Sequence, residues 1–214
     1  MTTGDTTQGS QSALALAQWR PLLMVFSGPS GVGKTSVTQA LIAQRWSGHV
    51  VVTATTRRPR PGEVDGEHYH FRTMQQFKEM IDRGELLEHA EVHGNHYGVP
   101  ASSVREQLAK GADVILTIDP QGAATVRSRV KDALFVFLAP ESLDELVERL
   151  NQRGVDTPEQ RALRLVNAER EMAELPKYDY VIVNRTGRLD ETVAMLRAIF
   201  VAEHCRVNPR SPEV

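Results

Sequence analysis

The fold is decided by one glycine-rich stretch, Gly28-Pro29-Ser30-Gly31-Val32-Gly33-Lys34-Thr35. It matches the pattern G-x-x-x-x-G-K-[ST] in full, follows an apolar segment at 22–26 and precedes a helix-forming segment at 34–46. In that context glycine lets the backbone N–H groups converge on phosphate oxygens at the positive end of the helix. We therefore expect all eight residues to bind a nucleoside triphosphate, with Lys34 reaching the β- and γ-phosphates and the Thr35 hydroxyl binding Mg²⁺.

Further apolar runs recur along the chain at intervals that suit alternating strands and helices. They lie at 50–54, 114–118, 134–138 and 180–183. Continuous rather than alternating hydrophobicity is typical of strands that are covered on both faces, which favours a parallel sheet. Capping-box patterns at 142–145 and 157–160 predict the starts of two helices. The sequence therefore predicts an α/β, three-layer P-loop fold with a mainly parallel central sheet.

One stretch, from Arg57 to Tyr97, interrupts this alternation. It is rich in Pro, Gly, His and charged residues and holds a single helix-like segment, from Met74 to Arg83. We interpret it as an inserted lobe with short strands, which is where a P-loop fold usually carries its second-substrate site. Downstream, Asp119 ends the apolar run that begins at Val114, and we expect this carboxylate to hold Mg²⁺ or its water shell.

Composition narrows the class of protein. The chain has 214 residues, is 41% hydrophobic and carries a formal net charge of -2. That size suits one sizeable core, and the charge argues against non-specific binding to nucleic acid or to a membrane surface. The single cysteine, Cys205, favours a reducing compartment, so we expect a cytoplasmic protein. Both ends, 1–19 and 207–214, are expected to be tails, the first disordered and the second frayed.

The segment at 53–66, TATTRRPRPGEVDG, closely resembles the T-T-R-x-P-R-x-G-E-x-x-G signature of guanylate kinases. Other motifs that resemble the family follow in order, at 67–71, 87–90, 94–98, 118–122 and 181–184. The resemblance implies transfer of the γ-phosphoryl group of ATP to GMP with the help of Mg²⁺. It also implies one domain at 20–206, with a core at 20–52, 101–141 and 171–206, a GMP-binding lobe at 53–100 and a helical lid at 142–170.

The resemblance also implies which residues bind GMP. By position in the family motifs they are Thr53, Arg57, Arg60, Tyr69, Glu88, Tyr97 and Asp119. The two arginines would grip the GMP phosphate, since guanidinium groups stay charged and match phosphate oxygens. The two tyrosines would donate hydrogen bonds to the same phosphate. Glu88 would accept from the guanine N1–H and exocyclic amine, a donor pair that adenine lacks.

A lid is suggested by paired arginines on the two helices that the capping boxes predict. Arg149 and Arg153 are four residues apart, and Arg161 and Arg164 three apart, so each pair shares a helix face. The resemblance implies catalytic roles for Arg153 and Arg164 beside Lys34 and Arg57, and an adenine contact for Asn184. The alternative is two exposed helices with ordinary charge pairs to neighbouring glutamates.

Several positions depart from the family pattern. Thr53 stands where Ser is frequent, Val99 where Ser or Thr usually supplies a hydroxyl to guanine, and Thr117 and Arg185 where Asp is common. The missing hydroxyl at Val99 removes one hydrogen bond, typically worth about 1 kcal/mol. Two alternatives therefore remain: a non-catalytic guanylate-kinase-like binding module, and a P-loop kinase for another nucleoside monophosphate or a sugar phosphate. The intact P-loop disfavours the first, and Arg57, Arg60 and Glu88 disfavour the second. A homo-oligomer is left open.

Overall fold

The structure, a computed structural model, describes residues 19–92, 94–151 and 158–214, without the side chains of 150–151 and 158–164. The predicted N-terminal tail and Arg153 therefore lie outside the described residues, apart from Trp19. Within the described chain, no helix has both the length and the apolar character needed to cross a membrane.

The described strands are β1 Leu23–Ser27, β2 His49–Val50, β3 Ala54–Thr55, β4 His70–Phe71, β5 Leu86–Val92, β6 Asn95–Pro100, β7 Val114–Thr117, β8 Leu134–Pro140 and β9 Tyr180–Asn184. The described helices are α1 Lys34–Ala43, α2 Met74–Asp82, α3 Ala101–Ala109, α4 Pro120–Arg129, α5 Leu143–Asn151, α6 Pro158–Met172 and α7 Leu189–His204, with a short 3₁₀ helix at Leu175–Lys177.

The central sheet has the strand order β2-β7-β1-β8-β9, and each of its neighbouring pairs is parallel. Successive residues of β1 face opposite sides of this sheet. Met24 and Phe26 pack in one cluster with Leu41 of α1 and residues of α7. Leu23 and Val25 pack in a second cluster with residues of α3 and α4. The predicted three-layer α/β fold with a mainly parallel sheet is therefore confirmed.

The inserted lobe is a second sheet, with the order β4-β3-β6-β5 and mainly antiparallel pairs. Helix α2 covers it through Phe77, which is fully buried against Ala54 and Leu86. Thr73 caps this helix, since its hydroxyl accepts from the Gln76 N–H while the Gln76 side chain accepts from the Thr73 N–H. The lobe and its one helix, predicted from Met74 to Arg83, are confirmed.

Two predictions about local structure are wrong. The run at 50–54 is not one strand: the Val51 N–H donates to Ile115 in the central sheet, whereas the Thr53 carbonyl accepts from His70 in the lobe. The chain passes from the central sheet to the lobe within this apolar run, so the hydrophobic pattern alone does not show where one strand ends and the next begins. The C-terminal segment is not frayed, because Arg210 donates to the buried Glu203 at 2.8 Å and to the carbonyl of Ala133 at 3.0 Å.

Candidate active site

The glycine-rich stretch leaves β1 at the middle of the central sheet and turns into α1. Gly28 and Gly33 have φ angles of 146° and 106°. A Cβ atom at Gly28 would stand 2.2 Å from the carbonyl oxygen of Leu138, and one at Gly33 would stand 2.6 Å from Nδ2 of Asn184. Both positions therefore need glycine, for its backbone conformation and for space. The stretch forms a tight loop between strand and helix, the context that the sequence predicts for a P-loop.

Lys34 folds back over this loop. Its ammonium donates to the carbonyls of Gly28 and Pro29 at 2.5 and 3.1 Å. Burial lowers the pKa of Lys34 to about 8, and the carboxylates of Glu171 and Asp119 act against that shift. Glu171 of α6 also accepts from the Ser30 N–H at 3.1 Å. A triphosphate bound here would stabilise the charged ammonium further.

Asn184 at the end of β9 holds the loop from the side. Its Nδ2 donates to the carbonyl of Val32 at 2.8 Å, and its Oδ1 accepts from the Thr192 hydroxyl at 3.1 Å. Arg149 of α5 also reaches the Val32 carbonyl, at 3.3 Å, and the Asn184 carbonyl, at 3.2 Å. Sequence reasoning assigned Arg149 only to the lid and missed Thr192. The Arg149–Val32 contact joins residues 117 positions apart, and the Thr192 contact joins the end of β9 to the first turn of α7, eight positions later. The adenine contact of Asn184 stays a prediction.

The lobe arranges its cationic side chains through a carboxylate that sequence reasoning did not single out. Glu63 accepts from the Arg57 guanidinium and from the backbone N–H of Arg60, at 2.8 and 2.7 Å. The first of these hydrogen bonds lowers the pKa of the Glu63 carboxyl. Arg57 lies 5.2 Å from the centroid of the Tyr69 ring, whose centroid lies 6.1 Å from that of Tyr97. Burial raises the pKa of Tyr69, so its hydroxyl keeps the proton that it would donate.

Glu88 lies on β5 and is 2% exposed. Burial, assisted by the neighbouring Asp119 carboxylate, raises the pKa of Glu88 to about 8. Among the described residues its Oε2 is one of the few buried polar atoms without a hydrogen-bond partner. The neighbouring Asp119 carboxylate, in contrast, has a partner: it caps α4 by accepting from the Gly122 N–H at 2.7 Å. A buried oxygen without a partner is costly unless a ligand supplies donors.

One cavity of about 250 Å³ is lined by residues of both the loop and the lobe. Its lining includes the predicted residues Ser30, Lys34, Thr35, Thr53, Arg60, Tyr69, Glu88, Tyr97 and Asp119, together with Thr117 and Glu171. A second cleft of about 700 Å³ lies on the other side of the loop, between Gly33, Arg149 and Asn184. Two spaces of different size therefore flank the glycine-rich loop.

Two further predicted positions are Arg164 of the lid and Val99, the valine that departs from the family pattern. Arg164 belongs to α6, and its side chain is outside the described part. Val99 is fully buried in the core cluster shared with Leu87, Ala101 and Val104. Its side chain therefore has a packing role, and the sequence supplies no hydroxyl at this position.

A phosphate-binding loop at the centre of a parallel sheet, opening onto a cavity with an arginine-bearing lobe, defines a P-loop phosphotransferase. The guanylate kinase family model matches residues 20–203. A guanylate kinase of Clostridium perfringens is 45% identical over 189 residues, which are 88% of this chain and 87% of that protein. One of Alkalilimnicola ehrlichii is 47% identical over 190 residues, 89% of this chain and 93% of that protein.

The structural comparison agrees. The crystal structure of guanylate kinase from Anaplasma phagocytophilum matches with a TM-score of 0.73 and 31% identity, over 89% of this chain and 90% of that one. The chain belongs to the guanylate kinase family.

Proposed function

We propose that the protein transfers the γ-phosphoryl group of ATP to GMP, yielding ADP and GDP, in the cavity that joins the loop to the lobe. The observation that carries this assignment is the Oε2 atom of Glu88, which is buried without a hydrogen-bond partner and lines the same cavity as Lys34. A purine with an N–H and an amine on one edge supplies the donors that this carboxylate lacks. Guanine has that edge, and adenine does not.

The ATP side of the site is the loop and the larger cleft. The backbone N–H groups of 28–35, except at Pro29, and the Lys34 ammonium would bind the phosphates. The cleft beside Asn184 and Arg149 would hold the nucleoside. On the GMP side, Arg57, Arg60, Tyr69 and Tyr97 would bind the phosphate. Glu63 supports that arrangement, because its two hydrogen bonds orient Arg57 and the Arg60 backbone before any ligand arrives.

The residues present suit Mg²⁺. Thr35 and Asp119 offer hydroxyl and carboxylate oxygens at the same cavity, and Mg²⁺ prefers oxygen ligands. In the part of the chain that the structure describes, no cluster of three or more His, Cys, Asp or Glu is arranged to hold a metal. A site with only one or two protein ligands is typical of Mg²⁺, because this cation keeps several waters and binds substrate phosphates. We assign Thr35 and Asp119 to it, and when bound it would offset charge on the β- and γ-phosphates.

The transfer itself needs positioning and charge neutralisation. An oxygen of the GMP phosphate attacks the γ-phosphorus in line, the bond to the β–γ bridging oxygen breaks, and the electron pair leaves with ADP. A phosphate monoester is largely ionised near neutral pH, so no general base is needed. Lys34 and Arg57 neutralise the two phosphate groups, and Arg153 and Arg164 are assigned to the same task from the lid. Closing the lid would exclude water and limit hydrolysis of ATP.

The free, exposed thiol of Cys205 supports a reducing, cytoplasmic setting for this activity.

The test is ADP formation with ATP, Mg²⁺ and each of GMP, AMP, CMP and UMP. We expect GMP to dominate, and Lys34→Ala to lower kcat by more than about a hundredfold because charge neutralisation is lost. The control is Lys110→Ala, which removes an exposed lysine paired with Glu106 and should leave kcat unchanged. Dominant activity with AMP would overturn the assignment of guanine. GMP binding without turnover would instead identify a non-catalytic binding module.

A further inference from the structure

Gly122, the third residue of α4, lies against the carboxylate that would read guanine. A Cβ atom built at Gly122 would stand 2.7 Å from Oε2 of Glu88, 3.1 Å from its Cδ and 3.4 Å from Oδ1 of Asp119. Its φ angle is not positive, so its backbone conformation does not require glycine. A side chain at this position would therefore need space that the Glu88 carboxylate now occupies.

The helix is held too firmly to make that space. Ala123 and Val126 of α4 are fully buried in the core beneath β1. The Gly122 N–H donates to Asp119 at 2.7 Å, which fixes the first turn. At the other end of α4, Arg129 donates to the carbonyl of Leu87, the residue before Glu88, at 2.8 Å. Helix α4 is thus capped at its first turn and tied to strand β5 at its last residue.

The Glu88 carboxylate is the group that would move. It is the free end of a flexible side chain, and its Oε2 has no hydrogen bond to lose. The backbone of Glu88 is paired with β6, opposite Val99, so the strand stays in place. Glu88 lines the cavity between loop and lobe, and a side chain on α4 would push it toward that cavity.

We propose that Gly122 is a positioning residue for guanine recognition, because only the lack of a side chain there lets Glu88 lie back against α4 and leave room for the base. The inference rests on the proposed function, since it assigns Glu88 to the base of GMP. It also explains why a residue with poor helix propensity occupies the first turn of a helix whose inner face is buried.

The matched variants are Gly122→Ala and Ala124→Ser, the second on the exposed side of the same helix. We expect Gly122→Ala to raise the KM for GMP at least about tenfold, with the KM for ATP changed by less than about twofold. The melting temperature should stay the same or rise, because alanine is the better helix former. Ala124→Ser should change none of the three quantities.

A second variant tests the direction of the clash. Glu88→Asp shortens the side chain and should weaken GMP binding in the wild-type background. In the Gly122→Ala background it should weaken binding less, or restore part of it, because the shorter carboxylate avoids the added methyl group. Strictly additive effects would contradict the proposal.

Calorimetric titration of the wild type with GMP, together with the KM values and melting temperatures above, separates this inference from the proposed function. If the wild type binds and phosphorylates GMP but Gly122→Ala has an unchanged KM, the role of Gly122 is wrong and the function stands. If Gly122→Ala lowers the melting temperature and raises both KM values together, Gly122 has only a general structural role. If the wild type neither binds nor phosphorylates GMP, the proposed function fails, and the positioning role fails with it.

Discussion

The side-chain amide of Asn184 donates a hydrogen bond of 2.8 Å to the carbonyl oxygen of Val32, a residue 152 positions earlier in the chain. The end of the last strand of the central sheet thereby holds the phosphate-binding loop, and Thr192 of α7 orients the amide by donating to its Oδ1 at 3.1 Å. Loop geometry in this protein therefore depends on the C-terminal third of the chain.

That dependence predicts how two variants affect ATP. Asn184→Ala should raise the KM for ATP about tenfold, and Thr192→Val, which removes only the orienting hydroxyl, about threefold, since a hydrogen bond contributes about 1 kcal/mol. The KM for GMP should change little in either variant. Steady-state kinetics with each substrate varied in turn measures this, and an unchanged KM for ATP in Asn184→Ala would refute the role of the amide.

The pH dependence of GMP binding should report on Glu88. Burial and the nearby Asp119 raise the pKa of Glu88 to about 8, so the protein without ligand holds a proton there near neutral pH. The guanine edge needs the carboxylate, so GMP binding should release this proton. Affinity should rise with pH, approaching about tenfold per pH unit below pH 8. Titration calorimetry in buffers of different ionisation enthalpy counts the proton.

The matched variant is Glu88→Gln. It should bind GMP more weakly and release no proton from this site, while any contribution from the GMP phosphate remains. Stability gives a second check. The folded protein holds a proton on Glu88 between the ordinary carboxyl pKa of 4.5 and about 8, whereas the unfolded chain has lost it. The free energy of unfolding of the wild type should therefore fall, relative to Glu88→Gln, as pH rises through that range.

Glu63 should affect the KM for GMP without contacting the nucleotide. Glu63→Gln keeps the shape of the side chain but weakens its bonds to Arg57 and to the Arg60 N–H. We expect a rise of about tenfold in the KM for GMP, because bonds to charged groups contribute about 1.5–3 kcal/mol. The KM for ATP should stay within about twofold. Glu67→Gln, at an exposed position nearby, is the control; equal effects of the two variants would show that Glu63 orients nothing.

The C-terminal segment should contribute to stability without affecting catalysis. The side chain of Glu203 is 0% exposed and pairs with Arg210, which is 17% exposed, at 2.8 Å. Arg210→Ala leaves that buried carboxylate short of one charged partner and should lower the free energy of unfolding by about 2–4 kcal/mol. Arg206→Ala removes a more exposed and longer contact, at 3.4 Å, and should cost less. Urea denaturation measures both, and kcat should be unchanged.

The sequence predicted the loop, the parallel core and the inserted lobe because each has a local signal. The glycine pattern, the continuous apolar run of β1 and the helix-like segment from Met74 to Arg83 each involve only a few neighbouring residues. What it missed depends on contacts between distant segments. Arg210 reaches the carbonyl of Ala133, 77 positions earlier, only because the C-terminal segment turns back onto the core. Gly122 meets Glu88 only because α4 packs against β5. The crossing at 51–53 was missed because both sheets accept the same apolar residues.

The lobe is built mostly from neighbours in sequence, and the central sheet is not. Strands β5 and β6 are adjacent along the chain and pair directly, whereas Leu23 of β1 pairs with Val114 of β7, across the whole lobe. Closing that long loop has a conformational entropy cost, which falls when the intervening chain is already compact. Early formation of the β5–β6 hairpin should therefore speed assembly of the core. We therefore expect the lobe to influence the folding rate of a sheet to which it contributes no strand.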